Sequence, residues 1–176
     1  MSKLEKLLNL ARVTALTHGL ISGNRCFNRH GAILFYSYNQ IITKQTNNKE
    51  RCFGAGSSQH AEISCILRSI TRRRSKRNCI YQLNNRKGVP KRRRGKLKML
   101  ICRINSEGKI VGSKPCYHCI QQMRKIGIYQ IYYTNDEGNL VAERVSNITN
   151  SHVCNSERLI NSEIKAKPWL RTGICI

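Results

Sequence analysis

The 176-residue chain lacks any long uninterrupted apolar run and contains only three prolines. Near its start, Lys3, Glu5, Lys6 and Arg12 divide the apolar residues into stretches shorter than a signal-peptide core or a membrane span. This argues against a secretory signal and a membrane partner, so we expect an intracellular protein, cytoplasmic or nuclear. With 40% apolar residues, the chain is long enough to bury one sizeable core.

Acidic residues are scarce, because nine Asp and Glu stand against 32 Lys and Arg, which gives a net charge of +23. Between Arg68 and Lys98, fourteen residues are Lys or Arg and none is acidic. Such a run cannot pack into a core, so we expect a basic insertion loop at about 71–97 that faces solvent or an anion. Its densest parts supply the candidate nucleic-acid contacts, which are Arg72, Arg73, Arg74, Lys76, Arg77, Lys91, Arg92, Arg93, Arg94 and Lys96.

Aromatic residues make up only 6% of the chain, and Tyr81 is the only one in the basic segment. Base stacking by this segment is therefore not expected, since stacking needs aromatic rings interleaved with the cations. Lys and Arg alone neutralise phosphates without reading sequence. Two interpretations stay open: contact with a polyanion, which we favour, and a solvated loop used for nuclear targeting or nonspecific RNA association.

The nine cysteines predict reduced thiols and not a disulfide framework, because the chain shows no secretory signal. Two of them, Cys116 and Cys119, have the C-x-x-C spacing of metal ligands. The others are expected to be small buried or incidental thiols, and they are Cys26, Cys52, Cys65, Cys79, Cys102, Cys154 and Cys175.

The apolar periodicity predicts a single domain over residues 1–176 in which strands alternate with helices after an initial hairpin. Predicted helices begin at the capping box Ser2-Lys3-Leu4-Glu5, cover Ala61 to Ser69, run from near Cys116 to Gly127, and weakly cover Ser156 to Lys165. Predicted strands cover Gly31 to Tyr36, Ile41 to Thr46, Leu97 to Ile104, Ile128 to Thr134 and Leu140 to Arg144. This order predicts a three-layer α/β/α domain with a mixed sheet.

His60-Ala61-Glu62 and the distant Pro115-Cys116-Tyr117-His118-Cys119 together predict a zinc site. One imidazole and two thiolates make three of the four bonds of tetrahedral Zn²⁺ and leave one position for water. Each half alone is weak, since a C-x-x-C pair also fits a redox pair or half of a structural zinc site. Both halves lie at predicted helix starts, where the helix dipole favours thiolates.

The proposed chemistry assigns each residue a role. Zinc lowers the pKa of a bound water towards about 7, and the resulting hydroxide attacks C4 of cytosine or C6 of adenine. Glu62 is not a ligand and moves the protons. His118 occupies an intervening position of the cysteine pair, so we expect its ring to point away from the metal.

The pattern H-x-E…P-C-x-x-C is the signature of zinc-dependent nucleobase deaminases. The chain resembles the cytidine deaminase-like superfamily, in its deoxycytidylate and tRNA deaminase branch, over about Arg29 to Arg144. The resemblance rests on Gly31-Ala32-Ile33-Leu34, His60-Ala61-Glu62-Ile63, Ser113 to Cys119 with Met123, and Gly127 to Tyr133. It implies a five-stranded sheet sandwiched by helices, hydrolytic deamination, frequent homo-oligomers, and substrate contacts at Ala61 and at Asn47, which would meet the sugar.

The chain also departs from the family pattern. Gln45 and Thr46 replace the usual glycine and aromatic before Asn47, and Cys65 replaces a small apolar residue. The basic insertion lengthens the gap between the two halves of the motif, at a place where a loop can grow without moving the ligands.

Three functions stay open at this stage. The first is a zinc-dependent deaminase that converts cytosine to uracil in a cytidine or deoxycytidylate-type nucleotide. The second is a polynucleotide-editing deaminase that holds RNA, DNA or tRNA with the basic loop and takes an unpaired base. The third is an inactive deaminase fold that binds nucleic acid, against which the intact Glu62 argues.

Overall fold

A computed structural model of the chain describes residues 1–21, 29–36, 40–47, 60–71 and 96–153. These residues form a mixed α/β body with three helices and one six-stranded mixed sheet. The helices are α1 (Lys3–Ile21), α2 (Ala61–Thr71) and α3 (Tyr117–Ile126). The strands are β1 (Arg29–Phe35), β2 (Ile41–Thr46), β3 (Lys98–Ile104), β4 (Ile110–Val111), β5 (Gln130–Thr134) and β6 (Leu140–Arg144).

Some sequence predictions lie outside the described residues. They are the turn at 37–39, the candidate contacts from Arg72 to Arg94, the weak helix from Ser156 to Lys165, and the thiols of Cys26, Cys52, Cys79, Cys154 and Cys175. No described helix is long and apolar enough to cross a membrane.

The sheet has the strand order β2-β1-β3-β5-β6, with β4 paired to β3 beside this path. β3 and β5 are parallel and every other pairing is antiparallel. The predicted count of five strands differs from the observed six because Ile110 and Val111 return along Ile104 and Arg103. A two-residue strand is too short to leave an alternating pattern in the sequence.

Residues alternate between two apolar clusters along each central strand, as the period of two in a strand requires. In β1, Ala32 and Leu34 join a cluster with residues of α2 and α3, whereas Ile33 and Phe35 join a cluster with residues of α1. All four side chains are fully buried. The sheet is therefore covered by apolar contacts from helices on both of its faces in this region.

The first helix begins with the predicted capping box. The Glu5 N–H donates to Ser2 Oγ at 3.1 Å, and the Ser2 N–H donates to Glu5 Oε2 at 2.5 Å. These reciprocal bonds satisfy donors that the first turn of a helix leaves without a partner. Further along, α1 meets β1 at Gly31, where an added Cβ would collide with the backbone carbonyl oxygen of Ala11.

The third helix begins near Cys116, as predicted. Cys116 is its N-cap, with φ −69° and ψ 167°, so Pro115 precedes the cap and does not lie in the first turn. Gly127 ends the helix at φ 79°, and its N–H donates to the carbonyl oxygen of Arg124 at 3.1 Å. Glycine adopts this left-handed conformation without steric cost, so the helix stops here and β5 can begin three residues later.

We expect Gly31→Ala to reduce the free energy of unfolding by about 1–3 kcal/mol, since the new methyl group must push α1 away from the sheet. Gly112→Ala is the matched control. There the added Cβ would meet the carboxylate end of exposed Asp136, which can rotate away, so a change within about 0.5 kcal/mol is expected. Denaturant titration of both variants checks the contrast, and equal losses would contradict the proposed close approach.

Candidate metal centre

The three predicted ligands lie at the N-terminal ends of α2 and α3. His60 immediately precedes α2, and its carbonyl oxygen accepts the first helical hydrogen bond, from the Ser64 N–H at 2.9 Å. Cys116 caps α3 in the same way and accepts from the Ile120 N–H at 3.1 Å, while Cys119 lies in the first turn. Both helices therefore direct the positive ends of their dipoles toward one region.

The ligand atoms of His60, Cys116 and Cys119 all lie within 4.8 Å of one another. His60 Nδ1 is 3.3 Å from Cys119 Sγ and 3.6 Å from Cys116 Sγ. Zinc bonds of about 2.3 Å to sulfur and about 2.0–2.1 Å to nitrogen, joined at the tetrahedral angle, place the two atoms roughly 3.5 Å apart. The three side chains are thus already spaced as zinc ligands and can hold a metal ion.

The local environment favours the thiolate form of Cys116. A hydrogen bond with the Cys119 side chain and the neighbouring His60 lower the pKa of Cys116, although burial acts in the opposite direction. Metal ligands must be deprotonated, so a lowered thiol pKa favours metal binding near neutral pH. Burial instead raises the pKa of Cys65 to about 12 and that of Cys102 to about 11, so these thiols stay protonated.

Cys65 does not belong to the group of ligands. Its Sγ donates to backbone carbonyl oxygens of Ala32 and Thr43, each at 3.5 Å, and so faces the strands. Cys65 and Cys102 are both buried free thiols, as the sequence predicts.

Glu62 lies in the first turn of α2, two residues beyond His60, and is only 3% exposed. Its Oε2 is buried and has no hydrogen-bond partner. Burial raises the pKa of the Glu62 carboxyl, whereas the nearby His60 lowers it. A buried carboxylate oxygen without a partner costs free energy, and this oxygen is the kind of group that a substrate or a water could satisfy.

The segment that leads to Cys116 is fixed by hydroxyl groups that the sequence analysis did not single out. Ser113 Oγ donates to the Ile101 carbonyl oxygen at 3.0 Å and accepts from the Thr134 N–H at 2.8 Å. The Thr134 hydroxyl donates to the Val111 carbonyl oxygen at 2.6 Å. Both side chains are buried, and together they attach the segment to the middle of β3 and to the end of β5.

The chain beyond β6 also returns to this segment. The Asn150 side-chain amide donates to the Pro115 carbonyl oxygen at 2.8 Å, and the Tyr117 N–H donates to the His152 carbonyl oxygen at 3.0 Å. Single Ser, Thr and Asn residues are too common for sequence alone to indicate such contacts, because they depend on the folded path of the chain.

His30 is a neighbour of the centre that sequence reasoning missed. It lies in β1 opposite Arg103, on the face of the sheet that carries Ala32 and Leu34. Burial lowers the pKa of His30 to about 4, with further contributions from the charges of Arg103 and His60. A second imidazole, which is uncharged near neutral pH, therefore lies close enough to the ligands for their charges to shift its pKa.

The predicted substrate residues lie at this end of the sheet. Asn47 Oδ1 accepts from the His30 N–H at 3.0 Å, and the Asn47 N–H donates to the His30 carbonyl oxygen at 3.2 Å, so Asn47 fastens the hairpin. Ala61 is fully buried at the start of α2. Their contacts with a substrate stay predictions, as does the proton-transfer role of Glu62. His118 is exposed and outside the ligand group, as expected.

Lys96 is the one candidate nucleic-acid contact among the described residues, and it is not part of the ligand group. It is exposed just before β3, with its Nζ 3.8 Å from the centre of the Tyr129 ring.

Models of known protein families and the sequences of curated proteins give no match to this chain.

Removal of one ligand tests the metal centre. We expect wild-type protein to retain about one zinc per chain and Cys116→Ala to lose most of it, since two side chains hold the metal much less tightly than three. Added zinc should then raise the melting temperature of the wild type and not that of Cys116→Ala. Elemental analysis and thermal melts measure both effects.

Cys102→Ala is the matched control for this experiment. It also removes a buried thiol, and we expect a lower baseline melting temperature with an unchanged response to zinc, since Cys102 lies on the α1 face of the sheet. Equal zinc responses in the two cysteine variants would contradict the assignment of Cys116 as a ligand.

The lowered pKa of His30 predicts a loss of stability in mild acid. Below about pH 6.5 the unfolded state takes up a proton that the folded state refuses until about pH 4, so stability falls as the pH falls through this interval. Relative to His30→Asn, the wild type should lose at most about 3 kcal/mol across it. Urea titrations at several pH values measure the free energy of unfolding of both proteins. Protonation of the metal ligands occurs in both, so its effect cancels in the difference between them. His152 is exposed, so the stability of His152→Asn should change with pH as that of the wild type does. Parallel curves of stability against pH for wild type and His30→Asn would refute the prediction.

Proposed function

We propose that this protein is a zinc-dependent hydrolase that deaminates a nucleobase, converting cytosine to uracil in a cytidine or deoxycytidylate-type substrate. One observation carries the proposal: three side chains spaced as zinc ligands stand beside a buried, non-ligand carboxylate with an oxygen that has no partner. Structural zinc sites are closed by four protein ligands, whereas hydrolytic sites keep one position open. Among the residues described, the ligand group has three members.

The same proposal places the chain in the cytidine deaminase-like superfamily with a three-layer α/β/α fold. Support comes from apolar clusters on both faces of the sheet and from the parallel pair β3 and β5. It also comes from the ligand segment, which Ser113 attaches to Ile101 in the middle of β3 and to Thr134, the last residue of β5. Binding sites of α/β sheets commonly lie beyond the carboxyl ends of the strands.

The residues of the chain would divide the work as follows. His60 Nδ1 and the sulfurs of Cys116 and Cys119 would hold zinc, which supplies the acidification of a water, from a pKa of about 15.7 to about 7. Glu62 would take a proton from that water at Oε2 and deliver it to the ring nitrogen of the base, then transfer the remaining hydroxyl proton to the amino group, which leaves as ammonia. Burial raises the pKa of its carboxyl, which favours acceptance of a proton.

The polynucleotide-editing alternative has one specific observation in its favour. Lys96, at the end of the basic segment, is exposed and lies beside two further cationic residues, Lys98 and Arg144. Nucleotide or nucleic-acid partners, homo-oligomer formation and an intracellular location stay proposals at this point. An inactive nucleic-acid-binding fold is disfavoured, because Glu62 would then be a costly buried carboxylate without a use.

Glu62→Gln tests the proton role. We expect kcat/KM for deamination to fall by about 10²- to 10⁴-fold, since glutamine keeps the shape but cannot transfer protons. Zinc content should stay unchanged because Glu62 is not a ligand. Ammonia release from CMP, dCMP, cytidine, adenosine and a single-stranded oligonucleotide measures the activity and ranks the substrates.

Glu143→Gln provides the isosteric control, since Glu143 of β6 accepts a hydrogen bond from the Tyr133 hydroxyl of β5 and is not among the candidate ligands. Its activity should match that of the wild type. Turnover by Glu62→Gln at the wild-type rate would contradict the proton-transfer role of Glu62. If zinc-loaded wild type deaminates none of the five substrates, the proposed reaction is wrong.

A further inference from the structure

His30 projects from the face of the sheet that carries the metal ligands. Side chains of a strand alternate between its two faces, so His30 shares a face with Ala32 and Leu34 of β1. Those two residues pack in the apolar cluster that includes Cys116 and Cys119. The side chain of His30 is therefore directed to the side of the sheet on which the candidate metal centre lies.

The packing of α2 on β1 brings His30 level with His60. Cys65 Sγ lies 3.5 Å from the Ala32 carbonyl oxygen, and this contact joins the helix to the strand. From there back along the chain, His60 precedes Cys65 by about 7.5 Å of helical rise, and His30 precedes Ala32 by about 6.6 Å of strand. The charges of His60 and Cys116 both act on the His30 imidazole, so helix and strand lead to the same centre.

His30 lies beside the ligands without being one of them. Among the described residues, the atoms close enough to share a metal ion come from His60, Cys116 and Cys119. Three protein ligands leave one position of a tetrahedral zinc ion open to water or substrate. A side chain that lies near such a centre and outside its ligand group is placed to contact a molecule bound there.

The backbone of His30 is fixed, whereas its ring makes no hydrogen bond within the described part of the chain. The His30 N–H donates to Asn47 Oδ1 at 3.0 Å, and the His30 carbonyl oxygen accepts from the Asn47 N–H at 3.2 Å. The residue is also partly exposed. Both ring nitrogens are thus available to a bound molecule, and the backbone that carries them is already ordered, which lowers the entropy cost of binding.

The surroundings of His30 favour a partner without charge. Burial and the charges of Arg103 and His60 disfavour the imidazolium form, and so they lower the pKa of His30. A neutral imidazole presents one donor and one acceptor, and a hydroxyl group has the same two functions. A phosphate offers acceptors and is bound most strongly by a cation. The ring is therefore matched to a hydroxyl group better than to a phosphate.

We propose that the His30 ring binds a hydroxyl group of the substrate's sugar while the base lies at the metal centre. This role rests on the proposed function, which brings a nucleoside or nucleotide to the ligands. Glu62 on α2 would act on the base, and His30 on β1 would hold the sugar that the base carries. His30 is then a specificity-determining residue, because a substrate without that hydroxyl group leaves the polar ring unpaired.

The test removes the hydroxyl groups of the sugar one at a time. The kcat/KM of zinc-loaded wild type and His30→Leu is measured on cytidine, 2′-deoxycytidine, 2′,3′-dideoxycytidine and their 5′-monophosphates. For the wild type, loss of the contacted hydroxyl group should lower kcat/KM by about 2- to 10-fold, as one neutral hydrogen bond predicts. For His30→Leu the same loss should have no effect, and His30→Gln, which keeps a donor and an acceptor, should recover part of the difference.

His152→Leu is the matched control, since His152 is exposed, and it should discriminate among the sugars as the wild type does. Equal dependence on the hydroxyl groups in wild type and His30→Leu would overturn the role of His30 and leave the reaction standing. An equal loss by His30→Leu on all three sugars would also overturn it, because His30 would then act on the base or on the fold. Loss of zinc from His30→Leu would overturn it too, because His30 would then be a ligand.

Equilibrium binding gives a readout that does not need turnover. Calorimetry measures the Kd of uridine, 2′-deoxyuridine and 2′,3′-dideoxyuridine, and wild type should bind the analogue without the contacted hydroxyl group about 2- to 10-fold more weakly. If wild type deaminates no substrate, the proposed reaction is wrong, and this difference, when it is absent from His30→Leu, would still support the sugar contact. Absence of binding, or equal discrimination by wild type and His30→Leu, would overturn it.

Discussion

The meeting of His60 with Cys116 and Cys119 at one point is the constraint on which the rest of the structure depends. His60 and Cys116 are 56 positions apart, yet their ligand atoms lie 3.6 Å from each other. The sheet brings the two ligands together in space. β3 leads into the segment that carries Cys116, and Ser113 attaches this segment to the sheet before α3 begins. A slip of one residue would turn every side chain of a strand to the opposite face and separate the ligands.

The metal centre also contains one energetically unfavourable group, the buried carboxyl of Glu62. Its Oε2 is buried without a partner in surroundings that include the buried side chains of Ala61 and Cys65. Sequences that fold well usually avoid such a group, and proteins keep one mainly where function needs it. The fold tolerates it because Ala61, Cys65 and Ile66 belong to the apolar cluster on one face of the sheet and fix α2 in place whether or not the carboxylate is satisfied.

Much of this arrangement could be predicted from the sequence where a local pattern determines it. The strands Ile41–Thr46 and Leu140–Arg144 have the predicted bounds, and the capping box at Ser2 forms as expected. The ligand group was predictable because few residue types bind zinc and their spacing is restrictive. The hydroxyl contacts of Ser113 and the neutral imidazole of His30 were not, since each depends on residues that the sheet brings together from distant parts of the chain.

The direction of two helices links the metal centre to the opposite end of the fold. Both α2 and α3 begin at the ligands, so their positive dipole ends favour thiolates there. Both also end with basic residues, Arg68 in α2 and Arg124 with Lys125 in α3, which complement the negative dipole ends. One choice of helix direction thus places the candidate metal ligands at one end of the two helices and positively charged side chains at the other.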